Sequence, residues 1–267
     1  MKSFAILPDA AFEDQIDCLF SNYAERYSLS EMAAPMLNNE LFFSLGDQFR
    51  IGNQVFNKGQ QTSVEFYRNH PFAQPVESKG EHFTFGVIFK PWALTLMERC
   101  GTQDLRRVPI PVKINIVKSL FINEFGQEDN QPMPEYLHNI FRFIANKITF
   151  RAPGDTIKAI LEELEGVRTL GKPINSIIDR AGISHKSVIA SFRNHIGVTP
   201  LRFVHHHAVL KTLPDLQAGI IPIAQIAVDN GFYDQSHFNR VFKSFMLISP
   251  GIYRQSYFEG KFRPIIA

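Results

Sequence analysis

The stretch "NGFYDQSHFNRVFKSFMLISPGIYR", Asn230 to Arg254, decides the reading of this chain. Apolar residues recur at Phe238, Val241, Phe242 and Phe245, the i, i+3, i+4, i+7 spacing of one helix face. Asp234 stands just before them, where a carboxylate accepts from the free N–H groups of a first helical turn. The spacing predicts a helix that starts at Asp234, buries its phenylalanines and carries Gln235, Ser236, His237, Asn239, Arg240 and Lys243 on its other faces. A polar helix start of this kind suits a solvated surface, and it also suits contact with base edges and phosphates. The flanking sequence separates the two.

Upstream, "IPIAQIAVD" predicts a helix that ends at a turn containing Gly231. The same arrangement is present earlier, in "PINSIIDRAGISHKSVIASFRNHIG", with its turn at Gly182. Setting Gly182 on Gly231 places Ile178 on Ala227. With one extra residue allowed in the second turn, Val188 falls on Phe238 and Phe192 on Phe242. A helix, a tight glycine-containing turn and a second helix with a polar start form the helix-turn-helix pattern. In that pattern the second helix enters the major groove, leading with its N-terminal residues. Two such units, at about 174–196 and 222–246, favour DNA contact over a merely solvated face. Between them "TPLRFVHHHAVLKTL" predicts a linker helix of about Thr199 to Leu213, with Thr199 as cap and Pro200 in the first turn. "DTIKAILEELEGVRTL" predicts an amphipathic helix before the first unit, and "SPGIYRQSYF" a closing helix capped by Ser249.

Charge divides the chain in the same place. Residues 151–267 hold 14 Lys+Arg against 9 Asp+Glu, a net +5, whereas residues 1–150 hold 14 against 17, a net −3. Six of the nine histidines also lie in the later part. A basic segment joined to a slightly acidic one fits a nucleic-acid-binding domain with a non-binding partner. "RAPGD", Arg151 to Asp155, supplies the Pro-Gly punctuation of a boundary, which predicts domains at 1–150 and 151–267.

The front half reads differently. "ELFFSLG", "FRIGNQVF", "TSVEFYR" and "HFTFGVIFK" are short and rich in Phe, Val and Ile, and they are separated by turn residues. They predict a small antiparallel sheet or cupin-like barrel at about 39–90, followed by helices at about 92–150. The expected fold class is therefore an α+β N-terminal domain followed by an all-α tandem helix-turn-helix domain. The phenylalanines and tyrosines of this half serve mainly as core, with some available to line an apolar pocket.

On these residues the chain resembles the AraC/XylS family of bacterial transcription regulators. The likeness rests on "IAQIAVDNGFYDQSHFNRVFKSFMLISPGIYR", with Ile226, Ala227, Gly231, Phe232, Gln235, Ser236, Phe238, Arg240, Phe242, Lys243, Ser249, Pro250, Tyr253 and Arg254 at family positions. A fainter match in register lies at Ala181, Gly182, Ser184, Phe192, Gly197 and Pro200, so the resemblance covers about 155–258. It implies that the linker helix holds both recognition helices on one DNA face. By position, Lys186, Ile189 and Ala190 would face bases in the first unit, as would Gln235, Ser236, His237 and Arg240 in the second. Lys186 and Ser187 open the first recognition helix, and Lys186, Arg193 and Lys243 suit phosphate neutralisation. The family carries arginine where Ala190 and Ala208 stand here, so the first unit is expected to read fewer bases. The resemblance also implies a front domain that binds a small-molecule effector, dimerises, or both, and contact with RNA polymerase at a promoter.

Other chemistry finds little support in the sequence. The triplet His205–His207 cannot share one ion, because neighbours on a helix point about 100° apart and no second His lies three or four residues away. Its histidines are expected to be solvated or near phosphate. His70 and His82, with Glu65 and Glu81, are too spread for a cupin metal centre. Cys18 and Cys100 supply no disulfide framework and no zinc site, which fits a reducing cytosol. The start "MKSFAILPDAAFEDQ" reaches acidic residues too soon for a secretory signal, and apolar runs such as "GIIPIAQIAV" are far below the ~20 residues of a membrane span. The sequence is thus read as a cytoplasmic regulator that binds double-stranded DNA, with no cofactor, no metal, no membrane and no catalysis. The alternative is a small-molecule-binding or protein-interaction protein whose helix-turn-helix domain has lost specific DNA binding.

Overall fold

The structure, a computed structural model, describes residues 2–8, 12–13, 15–44, 46–56, 64–67, 72–91, 155–165, 170 and 174–259. The helices expected at 92–150 and the Pro-Gly boundary at 151–154 lie outside the described residues. An antiparallel sheet comes first and a helical region follows, in the order that the hydrophobic periodicities predict.

The sheet contains β1 (Lys2–Ile6), β2 (Ile16–Ala33), β3 (Asn39–Ser44), β4 (Phe49–Ile51), β5 (Gln54–Phe56), β6 (Val64–Tyr67) and β7 (Gln74–Phe89). The strand order is β1-β2-β7-β3-β6, with β4 pairing both β5 and β7. β7 is the spine. It pairs β2 along its length on one side, and β3 and β4 on the other. Burial is unbroken from His82 to Phe89, so both faces of this half of the strand are covered. Gly46 sits where the chain passes from β3 to β4. A Cβ there would meet the Glu81 oxygen at 2.4 Å and the Phe83 nitrogen at 2.5 Å, so only glycine allows the backbone to run this close to β7.

The sheet begins earlier than the expected 39–90. β1 and the 18-residue β2 precede that window, and β7 starts at Gln74 rather than near His82. The reason lies in the register of β2 against β7, which shifts between Ile16 and Cys18 and again between Ala24 and Tyr27. Each shift resets which residues point inward, so no single alternation runs through the strand.

The helical region contains α1 (Asp155–Glu165), α2 (Ile174–Arg180), α3 (His185–His195), α4 (Pro200–Ala218), α5 (Ile223–Asp229), α6 (Gln235–Met246) and α7 (Pro250–Phe258). Three caps stand where the sequence places them. The side chains of Thr199, Asp234 and Ser249 accept from the backbone N–H groups of Arg202, His237 and Ile252. α4 runs past the expected end at Leu213, carrying Pro214 inside it. Proline removes one backbone bond there. Burial of Leu213 and Leu216, with the Gln217 amide donating to the Tyr253 hydroxyl at 2.8 Å, keeps the last turns helical.

The helices form two apolar cores rather than one. Ile160, Leu161 and Leu164 of α1 pack with Ile177, Ile178, Val188, Phe192, Phe203 and Val204. A second cluster joins Val209, Leu213 and Leu216 of α4 to Ile226, Ala227, Phe238, Phe242, Phe245 and Tyr253. α4 contributes to both cores and is their shared beam.

Candidate nucleic-acid interface

Each helix pair turns at a glycine with positive φ, 68° at Gly182 and 78° at Gly231. A side chain rarely adopts this conformation, which is why glycine occupies both turns. The pairs predicted to correspond do so in burial: Ile178 with Ala227, Val188 with Phe238, and Phe192 with Phe242 are all inside. The two units are thus built on one plan, with the second helix, α3 or α6, held by its apolar stripe.

The opposite faces stay open. On α3, Lys186, Ser187, Ile189, Ala190 and Arg193 are exposed. Ser184 caps this helix by accepting from the Ser187 N–H at 3.1 Å, and the two hydroxyls lie 2.8 Å apart. His185 Nε2 sits 3.0 Å from Asp179 Oδ1, which ties the start of α3 to the end of α2. Ile189 is 37% exposed, so an apolar side chain faces solvent in the middle of the presented surface. It can meet a thymine methyl but cannot hydrogen-bond a base.

On α6, Gln235, Ser236, Arg240 and Lys243 are exposed. His237 is only half-buried: its ring packs on Phe232 at 5.6 Å and on His205 at 5.7 Å. Its Nδ1 accepts from the Tyr233 N–H at 3.4 Å, which leaves Nε2 as the donor of the neutral ring. The structure therefore brings nine of the ten predicted side chains to open helix faces and holds the tenth, His237, at the edge of the core. Tyr233, absent from the predicted set, is 90% exposed in the turn that leads into α6. Its aromatic ring lies outside the phenylalanine register of the helix, and that was the available signal.

The histidine triplet corrects the expectation of solvated side chains. His206 is 2% exposed, and its Nε2 donates to the Pro35 carbonyl at 2.8 Å. The His207 ring packs against Phe203, tilted by 55° with ring centroids 4.5 Å apart. Burial pushes His205 and His206 down to about 4 and His207 down to about 3, aided by neighbouring histidines and cations. These rings are neutral packing groups, because desolvation disfavours a charge on a helix flank turned inward. His82 behaves likewise in the sheet, buried against the Phe49 ring at 5.1 Å and held at about 4 by desolvation. Among the described residues no cluster of His, Cys, Asp and Glu could hold a metal ion, and no helix is long and apolar enough to cross a membrane.

Residues 177–256 match the family described as a helix-turn-helix domain. They are an AraC-type helix-turn-helix domain. Within this AraC-type domain the chain is similar to the HTH-type transcriptional regulator MtrA of Neisseria gonorrhoeae, 28% identical over 82 residues. That match takes in 31% of this chain, and the chain spans 27% of the length of MtrA. The fold of both regions is similar to that of ToxT from Vibrio cholerae. One ToxT structure aligns with a TM-score of 0.51 at 14% identity over 89% of this chain and 98% of ToxT. A ToxT structure with unsaturated fatty acid bound aligns with a TM-score of 0.51 at 14% identity over 88% and 94%. The two-region architecture, an antiparallel sheet ahead of the helix-turn-helix domain, is therefore similar to that of ToxT.

Proposed function

We propose that this chain is a sequence-specific DNA-binding transcription regulator. The carrying observation is the repeated unit: two helix-turn-helix pairs, each presenting an open polar helix, joined by the one α4 helix. α3 and α6 enter successive stretches of major groove on one DNA face. Gln235 pairs with adenine and Arg240 with guanine or a phosphate, while Ser236 and His237 supply adaptable donors and acceptors. Lys186, Arg193 and Lys243 neutralise phosphates, and Ser187, Ile189 and Ala190 complete the contact of the first unit. Residues 151–267 form the DNA-binding domain, and residues 1–150 the controlling domain.

Control by a small-molecule effector is supported by the shared fold with ToxT, solved with an unsaturated fatty acid bound. Pairing of two copies through the front region, contact with RNA polymerase, residence in the cytoplasm and the absence of catalysis belong to the same reading. Selection of tight binders from a random duplex pool tests it. The full chain enriches one sequence and prefers it over a scrambled duplex by about 10³ or more, with affinity falling steeply as salt rises. The preference disappears in Gln235→Ala/Arg240→Ala. No enrichment, with an unsaturated fatty acid absent or present, would refute the reading.

A further inference from the structure

One corner of the sheet reaches into the helical region. The connection after β2 places Ala34 in the apolar core of the second unit and Leu37, 1% exposed, in that of the first. Between them the Pro35 carbonyl accepts from His206 of α4 at 2.8 Å. Within four consecutive residues the chain thus touches the linker helix and both helix-turn-helix cores. The adjoining start of β7 makes the second contact. There Ala73, 1% exposed, donates its N–H to the Phe245 carbonyl at 2.7 Å. That carbonyl lies in the last turn of α6, where no intrahelical donor remains, so a residue of the sheet region caps the recognition helix. The Arg202 guanidinium of α4 lies 4.5 Å from the Phe245 ring and 5.3 Å from the Phe72 ring, between recognition helix and sheet. The two contacts form one body, because Met32 and Ala33 of β2 pair with Pro75 and Gln74 of β7.

The helical region supplies few other links between its units. Their cores are separate, and apart from α4 the partly buried Leu170 is the side chain that touches both among the described residues. Its N–H also donates to the Asn230 carbonyl at 3.5 Å.

We propose that this corner of the sheet is a clamp that sets the orientation of the two helix-turn-helix units relative to each other, with Leu37 and Arg202 as its positioning residues. The proposal rests on the DNA-binding reading for its consequence but not for its geometry. Leu37 anchors the clamp to the first unit. Arg202 and the Ala73–Phe245 bond anchor it to the second. A released clamp leaves α4 and Leu170 to hold the units, and bipartite DNA contact then loses its fixed spacing.

The test uses the full chain with Cys18 and Cys100 replaced by Ser and spin labels at Lys186→Cys and Lys243→Cys. Electron-spin distance distributions are compared with and without Leu37→Ala or Arg202→Ala, and unlabelled proteins carry the same substitutions into DNA binding. Each substitution is expected to broaden the distribution and to lower affinity for the selected duplex by about 10-fold. Arg202→Lys keeps the charge and loses the flat stacking surface, so it restores folding without restoring the narrow distribution. Unchanged distributions in both variants overturn the clamp while leaving the DNA reading intact. Broadening without any loss of affinity overturns its role in DNA contact. Broadening in a protein that selects no DNA supports the clamp and sinks the DNA reading instead.

Discussion

His206 makes the helical region sensitive to acid. Its Nε2 donates to the Pro35 carbonyl, so the neutral ring carries its lone pair on Nδ1, which is buried without a hydrogen-bond partner. A proton added there would be a charge in an apolar site, near Arg202 and with no acceptor. Burial therefore holds the ring at about 4, against 6.5 for a free imidazole. Above pH 6.5 both folded and unfolded chains hold a neutral ring, and the contribution to stability is complete. As pH falls from 6.5, the unfolded chain takes up a proton that the folded chain refuses. Stability declines until about pH 4, below which both are protonated. At pH 5 the linkage amounts to about 2 kcal/mol for this one group.

His205 and His207 decline in the same direction, so the comparison must isolate His206. His206→Gln does so, because the amide can still donate to Pro35 and does not titrate. Urea unfolding followed by helical circular dichroism at pH 7.5 and 5.0 gives the gap between wild type and variant. The wild type is the more stable at pH 7.5, by about 1 kcal/mol for the better-packed ring. That gap should fall by about 2 kcal/mol at pH 5.0 and change sign. A gap that moves by less than about 0.5 kcal/mol, the scatter of independent perturbations, would refute the reasoning.

The two units should differ in weight. Gln235→Ala/Arg240→Ala is expected to weaken binding to the selected duplex by about 10²- to 10⁴-fold, at roughly 1–3 kcal/mol per base contact. Lys186→Ala/Ser187→Ala should cost less, and a larger loss there would reverse the assignment. Asp234→Ala removes the cap of α6 and should lower stability in thermal melts by about 1 kcal/mol, whereas Asp234→Asn keeps the acceptor and most of the stability. Equal losses in the two variants would show that the cap bond is not the cause. Pro214→Ala restores an N–H inside α4 and should raise stability by about 1–3 kcal/mol, less what proline contributes by stiffening the unfolded chain. A destabilised alanine variant would mean that the ring itself is packed to advantage.

Sequence alone determined the helix-turn-helix pair, because its signals are local. The phenylalanine stripe of α6, its Asp234 cap and the turn glycines Gly182 and Gly231 each act within a few residues, where spacing and side-chain type set the conformation. The open faces of α3 and α6 followed from the same periodicity, since a stripe that is buried leaves its complement outside. Tertiary structure decided what depends on distant partners. β2 was hidden because its register shifts break the alternation that marks a strand, and only pairing with β7 shows where it lies. The helix past Pro214 persists because Leu213 and Leu216 find a core, which no propensity records. The histidine triplet reads as polar in sequence, yet His206 is buried because residues 34–37 close over α4. Burial is set by which surfaces meet, and these surfaces are far apart in the chain: Pro35 and His206 are separated by 171 positions.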